Sequence, residues 1–134
     1  MERLLDCTIL TPEKLIYEGE AGFAVVQAYN GEMGFLYDHS PLISMLGIGE
    51  VRLRNPKTTD YFVVEGGIVE IKNNKLIILA EKAFRQSDLN AAQLKQKIDE
   101  YDQTIAQEKP GFKERFLIKV EQDKLRIRLK VAKR

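Results

Sequence analysis

The spacing of apolar residues changes near Ala83, and this change divides the chain. Before it, apolar and polar residues alternate, as in Leu5, Cys7 and Ile9, which is the period of a strand with one buried face. After it, apolar residues recur three and four positions apart, which is the period of an amphipathic helix. The two patterns in succession predict a β domain followed by helices.

Turn-forming residues interrupt the first part of the chain about every 8–12 residues, a spacing typical of a β-sandwich or barrel. Asn55-Pro56, Gly66-Gly67 and Asn73-Asn74 each follow an apolar segment. Two asparagines in succession tolerate positive φ and predict a tight hairpin turn. Two successive glycines favour either a bulge or a close approach of two strands.

A first helix is predicted after residue 88, with Ser87 or Asp88 as its N-cap. The Lys109-Pro110-Gly111 sequence ends it, because proline and glycine interrupt a helical pattern. Its apolar stripe consists of Ala91, Leu94, Ile98, Tyr101 and Ile105.

The last segment, residues 113–134, fits two secondary structures. As a helix it would gather on one broad face Phe112, Phe116, Val120, Ile127 and Val131. As a strand it would alternate basic residues with Leu125, Ile127, Leu129 and Val131. Periodicity alone favours neither.

Charge is distributed unevenly along the 134 residues, although the net charge is only +1. Residues 113–134 contain nine Lys or Arg and three Asp or Glu, a net of +6, so the rest carries −5. A basic tail fits an acidic protein, nucleic acid or an anionic membrane, and a solvated helix face fits it equally well. No apolar run reaches the ~18 residues that span a bilayer, and the start does not resemble a signal peptide. We therefore expect a cytosolic chain unless a partner recruits it.

No catalytic, cofactor-binding or metal-binding residue is predicted. Asp38, His39 and Ser40 are the residue types of a catalytic triad, but adjacent residues point in different directions, and a capped turn is favoured. One histidine and one cysteine far apart argue against a zinc site. No Gly-Lys-Ser/Thr follows Gly31 and Gly34, as a phosphate-binding loop would require.

A series of motifs in order along most of the chain resembles the epsilon subunit of bacterial and chloroplast F-type ATP synthases. Residues 10–20 resemble its opening strand, Thr-Pro turn and second strand. Residues 30–36 with 39–42 resemble its Gly-x-x-Gly hairpin and His-x-Pro sequence. The remaining matches are residues 47–52, 65–71 and 77–83.

This resemblance implies a flattened β-sandwich of about ten strands over residues 1–84, then a two-helix hairpin over residues 85–134. It therefore favours the helix for the last segment. It further implies a non-catalytic rotor subunit of a proton-translocating ATP synthase, without a cofactor. Such a subunit lies peripherally on the cytoplasmic face of the bacterial inner membrane, is attached only through the complex, and does not bind nucleic acid.

The resemblance also implies two sets of contact residues. The sandwich, as the rotor-binding domain, is expected to bind the gamma subunit and the c-ring through Gly31, Glu32, Gly34 and His39. The hairpin, as the regulatory domain, is expected to lie compact or to extend toward the alpha and beta subunits and block ATP hydrolysis. Its inhibitory contacts would be Arg126, Arg128 and Lys130.

One departure from the family pattern concerns ATP. Some relatives bind ATP through an Ile/Leu-Asp-x-x-Arg-Ala motif, where this chain has Asn90, Gln93 and Leu94 in place of the acid, arginine and alanine. Since phosphate recognition favours guanidinium groups, we expect no ATP affinity tighter than about millimolar.

Two other functions are compatible with the residues alone. One is an unrelated β-sandwich interaction module whose basic helical tail binds an acidic partner. The other is a small enzyme that uses Asp38 and His39.

Overall fold

The computed structural model describes residues 3–134, and the chain divides into two compact units between Gln86 and Ser87. The described part of the first unit is a β-sandwich of seven strands, and that of the second is a pair of α-helices, which confirms the predicted fold class. The strands are β1 (Leu5–Leu10), β2 (Leu15–Ala21), β3 (Phe23–Ala28), β4 (Gly31–Phe35), β5 (Leu42–Arg54), β6 (Thr59–Lys72) and β7 (Lys75–Arg85). A short 3-10 turn (Gln86–Asp88) precedes α1 (Ala91–Glu108) and α2 (Phe112–Ala132).

The seven strands form one hydrogen-bonded ladder in the order β2-β1-β7-β6-β5-β3-β4. All neighbours are antiparallel except β1 and β7, which run parallel from Asp6 opposite Lys75 to Leu10 opposite Leu79. Every strand contributes to a single apolar core. Among its fully buried large side chains are Leu5, Ile9, Phe35, Leu53 and Ile71.

The strand count differs from the ten or so that the resemblance implied. Three of the seven strands are long, with 13 residues in β5, 14 in β6 and 11 in β7. Strands of this length take the place of pairs of shorter strands, and the longest of them, β6, bends without ending.

Gly66 and Gly67 form the bend in β6. Their φ angles are +80° and +128°, and a Cβ atom on Gly67 would overlap the carbonyl oxygen of Leu79 on β7. The pairing of β6 with β5 and β7 keeps the same register on both sides, so the glycines make a close strand approach and not a bulge. Core-facing residues of β6 change from even to odd numbers across the bend, being Phe62 and Val64, then Val69 and Ile71.

Asn73 and Asn74 form the predicted two-residue turn between β6 and β7, with φ angles of 52° and 61°. The Asn74 side chain also fixes the loop after β4. Its Oδ1 accepts a hydrogen bond from the Asp38 backbone N–H at 2.6 Å, and its Nδ2 donates to Asp38 Oδ1 at 3.3 Å. The turn and the loop therefore hold each other in place.

The N-cap of α1 is Asn90, so the prediction of Ser87 or Asp88 was wrong. Asn90 Oδ1 accepts from the Gln93 backbone N–H at 3.1 Å, whereas Ser87 and Asp88 lie in the 3-10 turn. Asn90 is an equally good capping residue and stands directly before the first helical residue. The predicted break after α1 is confirmed, because Lys109 adopts a left-handed conformation with φ of 44°.

The ambiguous last segment is a helix. Its seam with α1 is built on Leu94, Ile98 and Leu125, which are buried, and Leu129 and Ala132, which are partly buried. Spacings of four and three along α2 place its seam residues on one helical stripe, and pairing of that stripe with α1 decides against the strand. We call the seam-joined pair α1 and α2 the helical hairpin.

Candidate partner-binding surfaces

Three of the four predicted rotor contacts lie on the edge strand β4. Gly31 opens the strand at φ of +133°, a conformation that favours glycine. Gly34 lies against the ring of Phe23, which would be 3.0 Å from a Cβ atom at this position. The two glycines thus serve the backbone and its packing, and Glu32 between them supplies the polar group.

The Glu32 carboxylate is held from two sides while its side chain stays 55% exposed. Its Oε2 accepts from Gln27 Nε2 at 3.0 Å, and its Oε1 accepts from the Arg52 guanidinium at 3.2 Å. Arg52 also binds the buried Glu50 at 2.8 Å, which fixes the guanidinium in position. The Gln27 hydrogen bond, followed by the charge of Arg52, lowers the pKa of the Glu32 carboxyl. The strand therefore presents a fixed negative charge.

His39 lies beyond the far end of β4, so the four predicted residues do not form one site. Its Nδ1–H donates to the Ser40 carbonyl oxygen at 2.6 Å, and its backbone N–H donates to the Leu36 carbonyl oxygen at 3.1 Å. The imidazole packs against Phe35 with ring centroids 5.0 Å apart. These contacts make His39 a residue that shapes the loop after β4.

The neighbours of His39 are not arranged as a catalytic triad. The Asp38 carboxylate accepts from Asn74, while His39 Nδ1 is occupied by a backbone oxygen. Cys7 is also unsuited to act as a nucleophile, because burial raises the pKa of its thiol to about 12. Among residues 3–134, no three His, Cys, Asp or Glu side chains cluster as a metal would require.

An exposed apolar row crosses the outer face of the sandwich and was not predicted from the sequence. Directly paired residues on five adjacent strands form this row, and they span roughly 20 Å at the usual strand spacing. Met45 is 63% exposed, Ile68, Leu79 and Leu15 are also exposed, and Leu10 is partly buried. We call the following residues the apolar row: Met45, Ile68, Leu79, Leu10 and Leu15.

A groove of about 410 Å³ adjoins the apolar row where β1 ends beside β7. It is lined by Leu10, Thr11, Pro12, Leu79, Ala80 and Glu81. The row therefore combines protruding side chains with an apolar recess, both of which a partner could contact.

The predicted inhibitory residues lie near the end of α2. Arg126 and Lys130 are one helical turn apart and exposed, and Arg126 pairs with Asp123 at 3.2 Å. Arg128, between them, points elsewhere and is half-buried. At the other end of α2, three large apolar side chains are exposed, namely Phe112 (89%), Phe116 and Leu117.

Comparison with known proteins identifies the family. Residues 4–86 match the family model described as the beta-sandwich domain of the ATP synthase delta/epsilon chain. The ATP synthase epsilon chain of Desulforudis audaxviator is 35% identical over 77% of this chain and 75% of that protein. That of Halalkalibacterium halodurans is 36% identical over 81% of this chain and 84% of that protein. The chain belongs to the ATP synthase epsilon-chain family.

Two solved structures share the fold of this epsilon chain. A chain of the Euglena gracilis mitochondrial ATP synthase matches 98% of it, with 82% of that chain covered, a TM-score of 0.81 and 16% identity. A chain from the central stalk and c-ring structure of the Tetrahymena thermophila enzyme matches with a TM-score of 0.63 and 15% identity, covering 96% of each chain.

Family membership overturns the alternative of an unrelated interaction module, and an epsilon chain is a non-catalytic subunit, not an enzyme that uses Asp38 and His39. At the position of the ATP motif, this epsilon chain uses Asn90 to cap α1, while Gln93 and its uncharged amide are exposed. Within residues 3–134, no helix has the length and apolarity needed to cross a bilayer.

Proposed function

We propose that this epsilon chain is a central-stalk subunit that couples the catalytic head of a proton-translocating ATP synthase to its c-ring. In this assembly the sandwich binds the gamma subunit and the c-ring, and the helical hairpin reaches the alpha and beta subunits and inhibits ATP hydrolysis. The chain is then peripheral, on the cytoplasmic face of the bacterial inner membrane. The apolar row is the main observation that supports this proposal.

The apolar row has the character of a protein interface. Contiguous exposed apolar surface in a folded chain marks sites where another molecule binds, since its burial is favourable. The row lies on regular paired strands, so its side chains are held at fixed spacings and need little reorganisation on binding. We assign it to the gamma subunit, because a rotor contact must transmit torque through a rigid surface.

The experiment is co-purification of the gamma subunit with variants of the row. Ile68→Lys places a charge at its centre, and desolvating this charge in an interface is costly, so we expect loss of most gamma binding. Thr58→Lys, an exposed change in the β5–β6 turn, is the matched control and should bind normally. Normal gamma binding by a folded Ile68→Lys variant would contradict the assignment.

Glu32 is proposed to make the polar contact with the c-ring. Its charge is fixed by Gln27 and Arg52 and is still open to a partner. Glu32→Lys reverses this charge, so we expect weaker coupling of proton flow to ATP synthesis in reconstituted vesicles. Glu13→Lys reverses an exposed charge in the β1–β2 turn and serves as the comparison. Equal coupling in the two variants would remove Glu32 from the site.

The inhibitory part of the proposal rests on the exposed basic pair Arg126 and Lys130, together with the exposed apolar start of α2. Deleting residues 87–134 should raise ATP hydrolysis by the assembled enzyme and leave assembly and synthesis largely intact. The sandwich retains its own core in this variant. An unchanged rate of hydrolysis would show that the hairpin is not an inhibitor here.

A further inference from the structure

The seam of the helical hairpin contains a buried polar side chain, Gln122. It is only 2% exposed and lies in α2 three residues before Leu125, the first buried apolar residue of the seam on that helix. Its Nε2 donates to the Asp102 carboxylate at 2.7 Å and to the Ile98 carbonyl oxygen at 3.2 Å, both on α1. One amide group thus joins the two helices.

The position of Gln122 in the repeat is that of a core residue. Gln122, Leu125, Leu129 and Ala132 follow spacings of three, four and three, as the core positions of paired helices do. A polar residue at one such position fixes the register of the helices and lowers their stability relative to an apolar residue. Gln122 has the geometry for both effects.

The apolar part of the seam is small, so the residue at position 122 has a large effect on the stability of the contact between α1 and α2. Among the described residues, its buried apolar side chains are Leu94, Ile98 and Leu125. A hydrogen bond contributes a modest net amount to stability, because the same groups bind water when the helices separate. A leucine at position 122 would add apolar burial that is lost on separation.

We propose that Gln122 is a polar latch, which aligns α1 and α2 through Asp102 and keeps their seam weak enough to open. The proposal concerns the separation of α1 from α2, which can be measured in the chain without the rest of the ATP synthase. Its regulatory consequence rests on the inhibitory function proposed above. The two are therefore tested by separate measurements.

The structural test is amide hydrogen exchange in the full-length chain. Gln122→Leu should slow exchange of the protected amides in α1 and α2 about tenfold and leave the sandwich amides unchanged. Gln103→Leu makes the same replacement at an exposed position of α1 and should have little effect. Unchanged or faster exchange in Gln122→Leu would overturn the proposal, because Gln122 would then stabilise the seam as well as leucine does.

A second pair of variants tests the partner. Gln122→Glu sets a carboxylate against that of Asp102, so exchange in both helices should accelerate severalfold. Asp102→Asn in the same chain removes this repulsion and supplies an amide donor, so exchange should slow again. It should not reach the wild-type rate, because a glutamate cannot donate to the Ile98 carbonyl oxygen. Exchange as fast as in Gln122→Glu alone would exclude Asp102 as the partner and overturn the latch.

The consequence for the enzyme is measured separately. If the opened hairpin inhibits hydrolysis, Gln122→Leu should raise the hydrolysis rate of the assembled enzyme. Slower exchange with an unchanged hydrolysis rate would overturn the inhibitory function and uphold the latch, whereas a higher rate supports both.

Discussion

The sandwich and the helical hairpin differ in how much apolar surface they bury. In the sandwich, seven strands bring 18 buried side chains into one cluster. In the hairpin, the corresponding cluster of the described residues has three, and a glutamine occupies a position beside them. Isolated helices are marginal in water, and packing usually supplies their stability. The sandwich is therefore held together by a much larger apolar core than the hairpin.

The largest loss of stability is expected from a substitution in the sandwich core. Leu53 is fully buried, so Leu53→Ala removes apolar contacts and leaves a cavity, which should cost about 3 kcal/mol of unfolding free energy. Urea denaturation followed by circular dichroism would measure the loss. Leu36→Ala, at an exposed position, should change the free energy by less than about 0.5 kcal/mol. Similar losses in both variants would contradict the assigned core.

A smaller, local effect is expected in the hairpin. Leu125→Ala should cost about 2 kcal/mol, near the low end for such changes, because the small cluster around this side chain can relax into the space left behind. Because the seam has few buried side chains, we expect the helices of this variant to unfold at a lower temperature, as measured by their ellipticity. The unfolding temperature of the sandwich should not change. If the two transitions shift together, the units unfold as one, which would contradict the separate, lower stability of the hairpin.

A still smaller effect should follow from removing charge on α2. Arg126→Gln, Arg128→Gln and Lys130→Gln together should reproduce part of the rise in hydrolysis produced by deleting the hairpin. Each exposed pair contributes only ~0–1 kcal/mol, and salt should weaken the difference. Lys113→Gln, Arg115→Gln and Lys119→Gln remove the same charge from the other end of α2. An equal rise in that control would mean that total charge, and not the site, matters.

The smallest effect concerns the pH dependence of the sandwich. Since folding lowers the pKa of Glu32, its stabilising contribution is present above the unfolded pKa near 4.5 and is lost as pH falls through the lower folded value. Glu32→Gln should therefore be slightly less stable than the wild type at pH 7, with the difference vanishing in acid. Unfolding midpoints at pH 7 and below pH 4 would measure this. A difference that persists in acid would mean that the carboxylate charge is not responsible.

Local chemistry predicted much of the fold. Alternation in β1, the paired asparagines at residues 73 and 74 and the break at Lys109 all depend on backbone preferences of nearby residues. The state of residues 125–131 was not predictable in this way, because their alternation fits a strand until α1 supplies a seam. The number of strands also depended on tertiary structure, since Gly66 and Gly67 bend β6 without ending it.

The functional surfaces were less predictable than the fold. Ile77, Ile78 and Leu79 form an unbroken apolar run, which does not reveal that Leu79 faces outward. A signal was available in the outward positions of β5 and β6, where Met45 and Ile68 replace the polar residues that alternation leads one to expect. Gln122 gave no signal of its own, because a glutamine in a charged helix is ordinarily exposed.

The parallel ladder between β1 and β7 has a consequence for how the chain folds. Residues 6–10 pair with residues 75–79, so the first strand can be completed only after nearly the whole sandwich sequence is available. Closing so long a loop costs entropy before the contacts repay it, and folding slows as such distant pairings increase. On the ribosome, the ladder between β1 and β7 therefore cannot form until β7 has emerged.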